Sequence, residues 1–179
     1  VSAELFTTGM TALGMSLLAI LLYIWFRFEW QFGIGAVVTL VLDVTKAVGF
    51  LAVTRIEFDL ATVAALLTII GYSVNDKVVV YDRMRENLRK YKTMPLRELI
   101  DLSINETLSR TIGTSATTFL AVLPLALLAS GAVAGFAWTM LFGIVIGTSS
   151  SIFIAAPILL FLGENRLRRG TEAPAAAAG

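Results

Sequence analysis

The chain has 179 residues, of which 57% are hydrophobic and only 15% charged, and its mean hydropathy is +0.82. An ordinary soluble domain carries about 25% charged residues, so this composition cannot cover the surface of a water-soluble fold of the same size. The absence of Cys and His excludes disulfides, thiolate metal sites, Ser-His-Asp chemistry and His-ligated metals. Any proton chemistry falls to Asp, Glu, Lys, Arg or Tyr.

A helix needs about 20 mostly apolar residues to cross a hydrocarbon core, and five segments meet that requirement. After a lead-in at 1–7, the first runs over 8–26 without a charge. A signal peptide is the alternative reading there, but the segment lacks a basic start and a small-residue cleavage site. The second runs over 32–54 and contains Asp43 and Lys46; the third runs over 60–81 and contains Asp76 and Lys77. A polar connection over 83–105 follows, with a helix start at Thr93 and Pro95. There Leu96, Leu99, Ile100 and Ile104 recur on one face, the pattern of an amphipathic helix lying at the interface or against the bundle. The fourth span, 107–129, holds Arg110 near its start, and the fifth covers 133–162. Pro124 and Pro157 are expected to kink their spans, and the Gly131/Gly135 and Gly143/Gly147 pairs permit close helix contact. Residues 164–179 read as a tail or linker. The expected fold is an all-α polytopic membrane protein, a five-helix transmembrane bundle over 8–163.

Charge between the spans sets the orientation. The connections after spans one and three and the segment after span five hold ten Lys and Arg residues, while the other two connections hold only Arg55. By the positive-inside rule the N-terminus lies outside and the C-terminus in the cytoplasm. An outside N-terminus opening on VSAELFTTG reads as the later part of something longer, with an exported domain ahead of it.

Charges inside a span cost about 2.5–3.5 kcal/mol each on the insertion scale, so they face partners or water. Asp43 and Lys46 share a helical face at i, i+3, and mutual neutralisation is the expectation for them. Lys77 points about 100° away from Asp76 and is expected to snorkel toward the interface. Asp76 lies about 7–8 Å past the midpoint of its span at 1.5 Å per residue, and Arg110 falls at similar depth on an antiparallel neighbour. Two readings stay open. One is a static ion pair locking two helices. The other is a proton switch, in which Asp76 changes between charged and neutral as its distance from the permanent Arg110 cation changes. Asn75 adds a neutral hydrogen-bonding group beside the acid.

The block GYSVNDKVVVYDRMREN, followed by LSINETLSRT and preceded by GAVVTLVLDV, closely resembles SecF of the bacterial Sec machinery and the equivalent half of fused SecDF. The resemblance runs over about residues 20–163. It implies spans two to six of a six-span repeat of the RND superfamily, with the periplasmic domain of that repeat absent. It also implies a bacterial inner-membrane location, no cofactor, and a partnership with SecD. In that family the proton-motive force assists preprotein export after SecYEG and SecA; YajC and YidC are implied as further partners, alongside the lipid bilayer, and no nucleic acid is implied. Carried over by motif, Asp76 matches the proton-conducting acid, Arg110 the arginine of the LSRT motif, and Asp43 the acid of an HDV motif. Leu42 stands where the family usually has His, and Lys77 where it has Thr or Ser. Two other readings remain: a structural SecD-docking subunit with static charge pairs, and an RND-type exporter of small molecules or lipids. An enzyme is the least supported class.

Overall fold

The computed structural model describes residues 3–162. The whole tail over 164–179, with its basic cluster at Arg166, Arg168 and Arg169, lies outside the described residues. Five long helices follow in chain order: α1 (Ala3–Arg27), α2 (Trp30–Thr54), α3 (Leu60–Lys90), α4 (Leu96–Leu128) and α5 (Gly131–Ser150). All five, with α5 extended by the turns after it, are long and apolar enough to cross a membrane. The chain is a multi-pass membrane protein, and the expected all-α bundle is what forms.

Local chemistry sets the helix ends. The start of α3 is a capping box, in which the Thr62 N–H donates to Asp59 Oδ1 at 2.9 Å and the Asp59 N–H donates to Thr62 Oγ1 at 2.9 Å. Two donors at the helix start are thereby satisfied reciprocally. At the far end α3 continues through the basic stretch to Lys90, and α4 begins at Leu96, directly after Pro95. The amphipathic segment is therefore the outer turns of two spanning helices. Its face of Leu96, Leu99 and Ile100 is buried against the bundle. Pro124 lies inside α4. Pro157 has a larger effect. The helix widens to a π turn over Ser151–Ala155 and tightens to a 3₁₀ turn over Pro157–Leu162. Proline lacks an N–H and its ring crowds the carbonyl four residues earlier, and a π turn is one way to accommodate that.

Helix α3 lies at the centre, packed against all four others, and its tightest partner is α5. The closeness comes from α5's small residues. At Gly143 a Cβ would overlap Ile69, and at Gly147 it would stand 3.4 Å from Ser73 Cβ. Gly35 of α2 faces Tyr81 of α3, whose hydroxyl would lie 2.6 Å from an added Cβ. That fully buried Tyr81 donates to the Ala155 carbonyl of the π turn at 2.8 Å. Helices α2 and α4 flank this spine, and α1 sits outermost against α2 and α3. Its side chains Trp25 and Phe26 stay exposed, as suits a surface whose solvent is lipid.

Candidate functional site

Two polar groups within the bundle centre on the in-span acids Asp43 and Asp76, both buried. The first is built around Asp43. On α2, residues Phe32, Ala36, Thr39, Leu40, Asp43 and Ala47 are all buried, so the carboxylate points inward with the apolar stripe. There Lys77 Nζ donates to Asp43 Oδ2 at 2.9 Å, with both side chains 1% exposed. The same oxygen accepts from Ser73 Oγ at 2.6 Å and Ser150 Oγ at 2.8 Å. Lys77 also donates to Ser73 Oγ and, at 3.3 Å, to Ser150 Oγ. Helices α2, α3 and α5 therefore meet at one buried ion pair, with α5 brought within reach by Gly147 one turn before Ser150.

This arrangement corrects two expectations. Asp43 is neutralised by Lys77, while Lys46 is exposed and forms no ion pair with it among the described residues. Three residues advance a helix by 300°, and the remaining 60° suffices to turn Lys46 outward while Asp43 faces the core. Lys77 does not snorkel. A carboxylate at its own depth on a neighbouring helix compensates it inside the core, where a charge is tolerated only if paired and hydrogen-bonded.

The second group surrounds Asp76, one residue earlier on α3. Its side chain is buried, at 4% exposure, and it makes no hydrogen bond or ion pair among the described residues; Oδ2 in particular is sealed from solvent without a partner. Lys77 and Arg110 are the cations whose fields reach it. Arg110 itself is exposed and lines a cleft of about 600 Å³ between α3 and α4, together with Asn75, Asp82, Arg83 and Glu106. The structure thus brings Asn75 and Arg110 to the same cleft, whose lining does not include Asp76. Asp76 and Arg110 lie within no 4 Å contact.

Several residues in these networks were not singled out from sequence. Tyr72 donates to Ser115 Oγ at 2.8 Å, and Ser115 and Thr148 hydroxyls lie 2.6 Å apart, linking α3, α4 and α5. Toward the basic end, buried Asn87 donates to Ser103 Oγ and Glu106 Oε2, each at 2.9 Å, while Arg83 Nε donates to Glu106 at 2.7 Å. The two sequence blocks DRMREN and LSINETLSRT thus hold each other at the α3–α4 junction. The hydroxyl run at 148–151 and the Ser one turn before Lys77 were the available signals.

Comparison with known proteins bears on the whole of this architecture. Residues 1–165 match the family described as "Protein export membrane protein SecD/SecF, C-terminal". The chain belongs to that family. Among its relatives, the protein translocase subunit SecF of Rhodobacter capsulatus is 54% identical over 166 residues, covering 93% of this chain and 50% of the relative. SecF of Rickettsia rickettsii (strain Sheila Smith) is 57% identical over 169 residues, covering 94% and 55%. The chain spans about half the length of the curated relatives it matches. The crystal structure of SecDF from Thermus thermophilus superimposes with a TM-score of 0.83 at 42% identity, over 86% of this chain and 21% of that one. SecDF in a super-membrane-facing form gives a TM-score of 0.84 at 38% identity, over 100% and 24%.

Proposed function

We propose that this chain is the membrane bundle of a SecF-type subunit that works with SecD in the bacterial inner membrane and uses the proton-motive force to promote preprotein translocation. In this reading Asp76 takes up a proton from the outer side and releases it toward the cytoplasm. Arg110, at the mouth of the α3–α4 cleft, modulates its charge, and Asn75 offers a neutral hydrogen-bonding group on the route. The observation that carries the reading is the contrast between the two intramembrane acids. Asp43 Oδ2 is committed to Lys77 at 2.9 Å and to two serines, leaving only Oδ1 without a hydrogen bond, whereas Asp76 is buried with neither hydrogen bond nor ion pair among the described residues. An unpaired carboxylate inside a membrane bundle is expensive as an anion, so it is the group whose protonation changes the energy of the helix arrangement most. Asp43 is then a packing residue more than a carrier. SecYEG with SecA would supply the substrate, and YajC and YidC would be neighbours in the assembly.

The test is preprotein translocation driven by a proton gradient in membrane vesicles at matched expression. Asp76→Asn is expected to abolish the gradient-dependent component while leaving the complex assembled, and Arg110→Met to weaken it. The second reading, a SecD-docking subunit with static ties, is favoured by the Asp43–Lys77 pair and the Arg83–Glu106–Asn87 clamp. Gradient-dependent export that survives Asp76→Asn supports it and sinks the proton role.

A further inference from the structure

The groove between the end of α1 and the start of α2 plays no part in the proton reading, yet it is a large and strongly apolar cavity. It measures about 670 Å³, with walls of Leu21, Trp25, Ile34 and Val38 and with Phe28 and Glu29 at one end, within the size range of small-molecule sites. Beside it opens a second cavity of about 600 Å³ lined by Arg27, Arg85, Arg89 and Lys90 together with Asp82 and Glu86. The two adjoin at Phe28, whose ring centroid lies 5.3 Å from the Arg27 guanidinium carbon and 5.6 Å from that of Arg85.

Charge at this junction is incompletely answered within the chain. Arg27 pairs with Asp82 at 3.0 Å and Glu86 with Arg83 at 2.8 Å. Among the described residues Arg85 and Arg89 form no ion pair; Arg85 Nη1 donates to the Arg27 carbonyl at 3.4 Å, but its Nε is buried with no acceptor. A buried guanidinium N–H without an acceptor costs free energy until an anion or water reaches it. Besides Asp82 and Glu86, Glu29 is the carboxyl set where the groove meets this cavity. Both of its oxygens lack a hydrogen-bond partner, and burial pushes its carboxyl above the usual range, against the opposing pull of Arg85 and Arg89. The mouth of the groove thus carries excess positive charge next to an apolar trough, flanked by Trp25 and Trp30, the residue type that marks the membrane interface.

We propose that one anionic glycerophospholipid occupies this site, an acyl chain lying in the α1–α2 groove and the phosphate at Arg85 and Arg89. Charge complementarity selects this occupant. A neutral lipid fills the trough without answering the two guanidinium groups, whereas a phosphate diester presents acceptor oxygens that suit arginine's fork. A lipid held there joins α1, the helix least embedded in the bundle, to α2 and to the basic end of α3.

The test uses the full-length protein purified with its SecD partner, stripped of native lipid in detergent and incubated with phosphatidylglycerol or phosphatidylcholine of identical chains. Bound lipid is counted by native mass spectrometry. The wild type is expected to retain phosphatidylglycerol over phosphatidylcholine by on the order of tenfold, and Arg85→Gln with Arg89→Gln to lose most of that preference. Ile34→Trp, which fills the trough, should lower retention of both lipids. Arg89→Gln alone, at an exposed position, gives an intermediate preference and serves where the double variant does not assemble. Equal preference in the wild type and the arginine variants overturns the proposal, whether the trough is empty or filled by another protein segment. So does retention unaffected by Ile34→Trp.

Discussion

At the scale of single residues, what matters is how two acids on the same bundle are treated. Asp43 has a cation and two hydroxyls at hydrogen-bond distance, all buried. Removing one partner from such a pair leaves an uncompensated charge in the core, a change that costs about 3–5 kcal/mol, while replacing both by apolar groups is often near neutral. Asp43→Asn or Lys77→Met is therefore expected to lower thermal stability strongly, and Asp43→Leu combined with Lys77→Met to recover much of the loss. Unfolding of the full-length protein in nanodiscs measures this. Single variants within about 1 kcal/mol of wild type would mean that the pair is wetter than its burial implies. The in-span charges themselves were legible in the sequence, because each stands out in an apolar run. Their pairing was not. Asp43 lay three residues from Lys46 and thirty-four from Lys77, and sequence distance favours the local partner, whereas a 60° offset around α2 decides against it.

At the scale of elements, the bundle depends on how near α5 can come to α3. Gly143 faces Ile69 so closely that a methyl group there would overlap it, and Gly147 meets Ser73. By contrast, Gly14 and Gly49 have nothing within 4 Å of an added Cβ. Gly143→Ala is thus expected to destabilise by about 1–3 kcal/mol through overpacking, with Ile69→Ala as a partial rescue in a double-mutant cycle. Gly49→Ala should be neutral or stabilising by up to about 1 kcal/mol, since alanine is the better helix former. Equal effects at Gly143 and Gly49 would show that propensity, rather than the α3–α5 contact, governs these positions. The small-residue spacing was visible in advance, but only as a general licence for close packing. Which glycine meets which side chain depends on the rotation of α5 about its axis. Rotation also explains the 83–105 segment: its apolar face was recognised, yet it continues α3 and leads into α4, because both helices outlast the hydrocarbon they cross.

At the scale of the molecule, charge is sorted to one end. Arg27, Arg83, Arg85, Arg89 and Lys90 gather where α1 ends, α2 begins and α3 meets α4, and ion pairs to Asp82, Glu86 and Glu106 tie that end together. The proposed orientation places it in the cytoplasm. Since this chain has no cysteine, single cysteines report on it cleanly. Lys92→Cys should resist a membrane-impermeant maleimide in intact cells and react after permeabilisation, while Ala132→Cys at the opposite end should react in intact cells. The reverse pattern would invert the topology and, with it, the direction of proton entry proposed for Asp76.

By itself the sequence determined the all-helical membrane fold, the number of spans, the sorting of basic residues and the set of in-span charges, because each follows from local composition and from lengths matched to a bilayer. Only the tertiary structure decided which of those charges are answered. Lys77 reaches Asp43 across a helix interface, and Ser150 arrives from a residue more than a hundred positions away. Asp76, one residue from Lys77, turns by 100° into a place with no hydrogen-bond or ion-pair partner among the described residues. Pairing inside a bundle is set by helix rotation and depth, and neither can be read from the spacing along the chain.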